Sequence, residues 1–313
     1  MGEPLLTVER LRVEYENVTA VDDVSFTVES GMVYGLIGPN GAGKTSVIRA
    51  LATLAEPTYG NIHICGVDLL QHPQRALRHV GFMPDVPPLY EDLTIQEFME
   101  LFASAYAVDP ALRSRRIAEL IEMVRLTEKR DTPAGALSRG MRQRLFLAKT
   151  LLHDLDVLLL DEPASGLDSN ARLELQAILQ SLGQQGKAVL VSSHILAEMA
   201  SFCNAVGIME KGAMKVSGRV DEILRQLRPG LHVRVLLLAP DPRIRAFLEG
   251  RAGVRDVVDG EDGVVRVTLD GGREDAVSLL RALVTQDFKV ADFHAEEGTL
   301  TDIFRQVSKG VVS

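Results

Sequence analysis

Apolar and polar residues alternate from Leu5 to Tyr15 and again over Val24–Val28, the period of strands with one buried face. Val33–Ile37 is instead a short unbroken apolar run, as in a strand covered on both sides, and a glycine-rich turn follows it at once. From Lys44 to about Leu54 the spacing is helical. The pattern is helical again from Thr94 to about Leu126, where Phe98, Leu101, Phe102 and Ala105 share one face. Helices are also predicted after Ser138 and near Asn170–Leu182, with the very apolar strand Val157–Leu160 between them and the strand Ala188–Ser192 after them. Strands alternating with helices in this way predict an α/β fold built on a mainly parallel sheet with covered faces.

A helical segment, Val220–Leu227, runs into the breakers of Arg228-Pro229-Gly230, which predicts a boundary there. One domain is therefore expected over 1–228, with a helical part at about 86–155, and a second over 231–313. The second part reads strand (His232–Leu238), helix (Pro242–Leu248), strand (Val254–Val258), strand (Val264–Leu269), helix (Arg273–Val284), strand (Phe288–His294). With Asp259–Gly263 as a hairpin turn, that order predicts a small α+β, ferredoxin-like split-βαβ sandwich. Leu300–Val307 is predicted as a final short helix, and no segment repeats.

Composition narrows the function classes. The longest apolar stretches, Val157–Leu160 and Val235–Ala239, fall far short of the roughly 20 residues that span a bilayer. Glu3, Glu9, Arg10 and Arg12 interrupt the start, so neither a membrane span nor an export leader is expected. The net charge is −9 and both halves are acidic, which argues against a nucleic-acid partner. The two cysteines, Cys65 and Cys203, lack paired spacing and read as packed core thiols rather than a metal or disulfide framework.

The sharpest chemical signal is Gly38-Pro39-Asn40-Gly41-Ala42-Gly43-Lys44-Thr45, with Ser46 next, between a strand and a helix. Backbone N–H groups in such a loop, with the helix N-terminus behind them, surround phosphate oxygens. Glycine is required because a Cβ blocks that approach. Lys44 supplies a point charge between β- and γ-phosphates, and the Thr45 hydroxyl suits Mg²⁺. An ordinary glycine turn before a helix is the bland alternative, and the strand-loop-helix context disfavours it.

The strand Val157–Leu160 ends in Asp161-Glu162-Pro163. Adjacent strand residues point in different directions, so Asp161 can face a metal shell while Glu162 faces an attacking water. Phosphoryl transfer needs both, charge neutralisation and orientation or deprotonation of water. An acid pair at a strand end is commonly just solvated; beside a phosphate loop that reading loses weight. Ser138 is an N-cap candidate for the helix that includes Gly140, making its start a second anion site.

The run Leu137-Ser138-Arg139-Gly140-Met141-Arg142-Gln143, upstream of Leu158-Leu159-Leu160-Asp161-Glu162-Pro163, resembles the signature motif of ATP-binding cassette ATPases. Ser165-Gly166-Leu167-Asp168 is similar to their D-loop and Ser192-Ser193-His194 to their switch histidine. The resemblance spans residue 3 to about 225 and implies the P-loop cassette fold, a mixed sheet core plus a helical subdomain. It also implies ATP and Mg²⁺ as ligands, and a homodimer of head-to-tail cassettes. Ser138 and Gly140 would touch the γ-phosphate held by the other copy, Asp168 would line the seam, and His194 would reach the γ-phosphate from the same copy as Lys44. A lone strand-end histidine is more often simply satisfied; the motif order argues otherwise here. Tyr15 resembles the adenine-stacking aromatic, with a plain edge-strand tyrosine as its alternative.

Three positions depart from the family pattern. Asp85 stands where glutamine is common, and Arg139 and Met141 where glycine and glutamine are usual. Asp85 either approaches the metal as an anion or stays clear while its loop serves coupling; the second is favoured on the sequence alone. The Pro84–Thr94 loop, the single cassette and an extension ending Thr301-Asp302-Ile303-Phe304 resemble the drug-export and daunorubicin-resistance branch. That implies an ATPase on the cytoplasmic face of the membrane, with Glu162 as base, Lys44 and His194 as its catalytic partners, and a separate transmembrane permease docking near Asp85–Phe98. The rival is a soluble, non-transport cassette ATPase whose C-terminal domain senses a ligand. A GTPase is disfavoured because the chain has no Asn-Lys pair.

Overall fold

A computed structural model describes residues 2–297 apart from 17, 87, 196, 197, 200, 228, 229, 261 and 262. The chain divides into two compact units, residues 1–220 and 221–313. In the first, β1 (Pro4–Tyr15), β2 (Val18–Glu29), β3 (Val33–Ile37), β4 (Tyr59–Ile64), β5 (Val67–Asp68), β6 (Val80–Met83), β7 (Val157–Leu160), β8 (Ala188–Ser193), β9 (Ala205–Glu210) and β10 (Ala213–Arg219) form two sheets. An antiparallel sheet has the order β2-β1-β4-β5. A six-stranded sheet has the order β10-β9-β3-β8-β7-β6, parallel from β9 to β6, with β10 antiparallel at its edge. Every residue of β3, β7 and β8 is buried, as unbroken apolar runs require. One core cluster joins Leu6, Val8 and Ile62 of the first sheet to Leu36, Leu159 and Leu190 of the second.

The helices are α1 (Lys44–Leu51), α2 (Pro73–Ala76), α3 (Ile95–Ala105), α4 (Pro110–Met123), α5 (Arg139–Thr150) and α6 (Ser169–Gln184). The helical pattern predicted from Thr94 to Leu126 is two helices rather than one. Ala107 takes a left-handed φ of 54°, and Asp109 with Pro110 restarts the chain as N-cap and first helical residue. The expected apolar face also shifts. Ile95, Phe98, Met99 and Ala103 are buried, whereas Leu101 is 45% exposed. A capping box between Thr94 and Glu97 fixes the start of α3.

The helix α7 (Val220–Leu227) begins at the boundary, and the second unit continues with β11 (Leu231–Leu237), α8 (Arg243–Glu249), β12 (Val254–Asp259), β13 (Val264–Leu269), α9 (Arg273–Thr285) and β14 (Val290–Glu297). Its antiparallel sheet has the order β12-β13-β11-β14, which is the split-βαβ arrangement. Val233, Val235 and Val267 pack with Leu248, Leu279 and Leu283 from the two helices. The predicted helix at Leu300–Val307 lies outside the described residues.

Candidate functional site

Four neighbouring parallel strands deliver the site, because β3, β8, β7 and β6 all end at one edge of their sheet. The register pairs Ile37 with Ser193, Leu160 with Val191 and Met83 with Leu160. The loop after β3, the acid pair after β7, His194 after β8 and Asp85 after β6 thus converge where open α/β sheets bind ligands.

Their convergence forms a cleft of about 670 Å³. Asn40, Gly41, Ala42, Gly43, Lys44, Thr45 and Ser46 make one side; Tyr15, Asp85, Glu162 and His194 contribute to the rest. Gly43, at φ 101°, precedes α1; a Cβ there would lie 2.3 Å from the carbonyl oxygen of Ala20. Lys44 is buried and its Nζ donates to the carbonyls of Gly38 and Pro39, at 2.8 and 3.2 Å. The ammonium is thereby tied to the first two carbonyls of the loop. Tyr15 ends β1 on the cleft wall and is 41% exposed.

The two carboxylates have different partners. Asp161 is buried and accepts from Thr45 Oγ1 at 3.2 Å and from Ser192 Oγ at 2.6 Å. Glu162 has a left-handed φ of 47° and directs its carboxylate toward the cleft. Its Oε1 lies 3.6 Å from Lys44 Nζ, and its Oε2 lies 2.9 Å from Nδ1 of His194. Alternation along a strand predicts the split; the backbone twist at Glu162 completes it. Thr45, Asp161 and the cleft-facing oxygens supply the hard oxygen donors that Mg²⁺ takes alongside phosphates, so these residues fit ATP–Mg²⁺.

Asp85 lines this cleft and an adjoining cavity of about 220 Å³ walled by Val86, Leu89, Arg139, Arg142, Gln143 and Phe146. Burial, and then the charges of Asp161 and Glu162, push its carboxyl above the usual carboxylate range, and Oδ1 is buried without a protein partner. Asp85 thus shares the cleft with Glu162 and feels the charge of both acids.

Ser138, Gly140 and Asp168 lie outside the wall of the cleft. Ser138 caps α5, accepting from the N–H of Met141, and Asp168 caps α6, accepting from Asn170 and Ala171. Gly140 lets these two helix ends touch, since a Cβ there would come within 2.7 Å of Ala171 Cβ. Sequence reasoning missed two contributors. Ser192 bonds Asp161 and also accepts from the N–H of Glu162 at 2.8 Å, a linkage its place in the motif only hints at. Lys211 and Gly212, in the turn between β9 and β10, also line the cleft; Gly212 bonds the backbone of Ala42 and Asp22. No sequence signal marked that turn.

Known proteins share the sequence and the fold of this chain. A family model described as ABC transporter matches residues 21–165, and one described as ATP-binding protein DrrA1-3-like, C-terminal domain, matches 218–308. The chain is 38% identical over 221 residues to Nod factor export ATP-binding protein I of Ralstonia nicotianae, covering 71% of this chain and 69% of that one. It is 39% identical over 212 residues to the uncharacterized ABC transporter ATP-binding protein YhcH of Bacillus subtilis, covering 66% and 68%. A solved structure of an ATP-binding subunit of an ABC transporter superposes with a TM-score of 0.64 at 34% identity, covering 71% of this chain and 93% of that one. Identity at that level across two thirds of each relative, on the same fold, means that the chain belongs to the family of ABC transporter ATP-binding proteins.

Proposed function

We propose that this chain is the motor of an exporter: it hydrolyses ATP with Mg²⁺ at the cleft, as one half of a head-to-tail homodimer, and drives a separate transmembrane permease. The observation that carries this reading is the Glu162 carboxylate, held between Lys44 and His194 at the mouth of the phosphate loop. In the proposed mechanism Gly38–Ser46 hold the phosphates and Tyr15 stacks on the adenine. Lys44 and His194 meet the γ-phosphate, and Glu162 takes the proton of the attacking water. Thr45 and Asp161 would hold Mg²⁺, which neutralises charge on the phosphate oxygens; Asp85 stands behind them.

Ser138 and Gly140 face no nucleotide of their own chain in this scheme. They complete the site of the second copy, and Asp168 lines the seam, in keeping with their position off the cleft wall. The export direction is drawn from the name of the Ralstonia relative and the DrrA-like match to the second unit. We assign the nucleotide-binding domain to 1–228, with its helical part at about 86–155, and the accessory domain to 231–313. No helix among the described residues is long and apolar enough to cross a membrane, so the chain is taken to sit peripherally on the cytoplasmic face through its permease.

The test is Glu162→Gln. The variant should bind ATP–Mg²⁺, elute as a dimer with it, and hydrolyse about 10²–10⁴ times more slowly. An unchanged rate would remove Glu162 as the base.

A further inference from the structure

We propose that Cys65, His79 and Asp156 form a second metal site, for a borderline-soft divalent cation of the zinc class. The site lies at the end of the six-stranded sheet opposite the nucleotide cleft. One ligand atom from each residue (thiol sulfur, ring nitrogen, carboxylate oxygen) lies within 4.8 Å of the other two. Zinc bonds of about 2.0–2.3 Å set ligand atoms a little over 3 Å apart, so small side-chain rotations close the site.

The backbone holds each ligand in place. His79 and Asp156 immediately precede β6 and β7, whose first residues, Val80 and Val157, are register partners. The N–H of Asp156 donates to the carbonyl of His79 at 3.0 Å, and His79 Nδ1 already meets Asp156 Oδ2 at 2.5 Å. Cys65 comes from the other sheet, in the turn between β4 and β5, with a left-handed φ of 49° and its N–H bonded to Leu5 O. Water would complete a four-coordinate shell.

Two other readings of the trio fit less well. A nucleophilic cysteine sits in an electropositive setting; Cys65 instead faces the carboxylate of Asp156. A hard cation prefers an all-oxygen shell and gains little from sulfur and imidazole. Thiolate, imidazole and carboxylate together are a zinc-type donor set. The site is therefore chemically separate from a Mg²⁺ site in the cleft. A bound ion would tie the antiparallel sheet, through Cys65, to the parallel sheet, through the starts of β6 and β7.

The experiment uses the metal-stripped full chain and Co²⁺ as probe. Titration should produce a thiolate-to-cobalt charge-transfer band with visible ligand-field bands, and Zn²⁺ should bleach both. Cys65→Ser should abolish the charge-transfer band, and His79→Gln should weaken binding at least about tenfold. In the unmodified chain Zn²⁺ should slow alkylation of Cys65 and raise the melting temperature, readouts that need no variant to fold. Absence of a thiolate band, a band that survives Cys65→Ser, or alkylation unaffected by Zn²⁺ each overturns the proposal. Cys65→Ser should keep its Mg²⁺-dependent ATPase activity, so loss of this site and loss of the ATPase reading are separate results.

Discussion

His194 and Lys44 approach opposite oxygens of one carboxylate: Nδ1 lies 2.9 Å from Glu162 Oε2, and Nζ lies 3.6 Å from Oε1. The base is thus oriented at once by the first residue of α1 and by the residue that follows β8. Removing the imidazole leaves Glu162 tethered on one side only. A hydrogen bond to a charged group is worth about 1.5–3 kcal/mol, so His194→Ala should lower kcat about 10- to 150-fold. Retention of ATP by the non-hydrolysing protein should change far less. Steady-state phosphate release and equilibrium nucleotide binding separate the two; an unchanged kcat would free Glu162 from dependence on His194.

Ser192 is fully buried and its hydroxyl links the acid pair, donating to Asp161 and accepting from the N–H of Glu162. Ser192→Ala leaves that N–H without its partner at a residue already in left-handed backbone, which costs about 1–3 kcal/mol. The expected result is a lower melting temperature and a kcat reduced about tenfold, with KM for ATP little altered. A rise in KM with kcat unchanged would mean that the hydroxyl serves binding instead.

Asp85 feels the charges of two other carboxylates, Asp161 and Glu162, which Arg139 partly offsets. Asp85→Gln removes one anion from that group while keeping an oxygen donor. If Asp85 helps draw the cation in, the Mg²⁺ concentration for half-maximal ATPase should rise several-fold, and the fold should become more stable without metal. Titration of the ATPase with Mg²⁺ reads the first effect and thermal melting the second. An unchanged Mg²⁺ requirement would leave the loop a coupling role alone.

How far the sequence carried depended on whether a residue's environment is local. Val33–Ile37 and Val157–Leu160 were legible because strands buried on both faces leave no polar option. The phosphate loop and acid pair were legible because each sits at a strand end that fixes its direction. The short strands β4, β5, β9 and β10 were not read, since their burial comes from partners such as β1, which pairs with β4 from 47 to 58 residues away. Cys65, expected among packed core thiols, is half-buried beside His79 and Asp156, a neighbourhood that exists only after the two sheets meet. Cys203 is the core thiol expected. The break at Ala107 was announced by Asp109-Pro110, a signal that the longer helical period masked.

His153 gives the cassette a pH dependence. Its ring stands edge-on to Tyr106 with centroids 5.1 Å apart, Nε2 meets the carbonyl of Val80 at 3.2 Å, and Nδ1 is buried without a partner. Burial, helped by Lys149 and Lys187, holds the imidazole below its ordinary value near 6.5. The unfolded chain then binds the proton more readily than the folded one. Stability is fully present above about pH 6.5 and is lost as pH falls through the lower, folded value. Urea unfolding followed by circular dichroism should show that decline, and His153→Phe, which keeps the aromatic contact, should flatten it. An equal slope in the variant would assign the decline to other groups.

Gly140 separates packing from ligand contact. The position of its missing Cβ is directed at Ala171 of the same chain, 2.7 Å away, and so at the junction of α5 and α6 rather than at open space. Gly140→Ala should force the two helix starts apart at a cost of about 1–3 kcal/mol, moving the cap Ser138 away from Asp168. Melting temperature and ATPase should fall together. Adding Ala171→Gly returns the space and leaves one glycine and one alanine between the two helices, so helix propensity is nearly unchanged. The double variant should regain both stability and activity, because a glycine can offer a second copy's nucleotide only its backbone, which the swap keeps. Recovery of stability without activity would place the missing Cβ against the nucleotide itself and overturn the packing account.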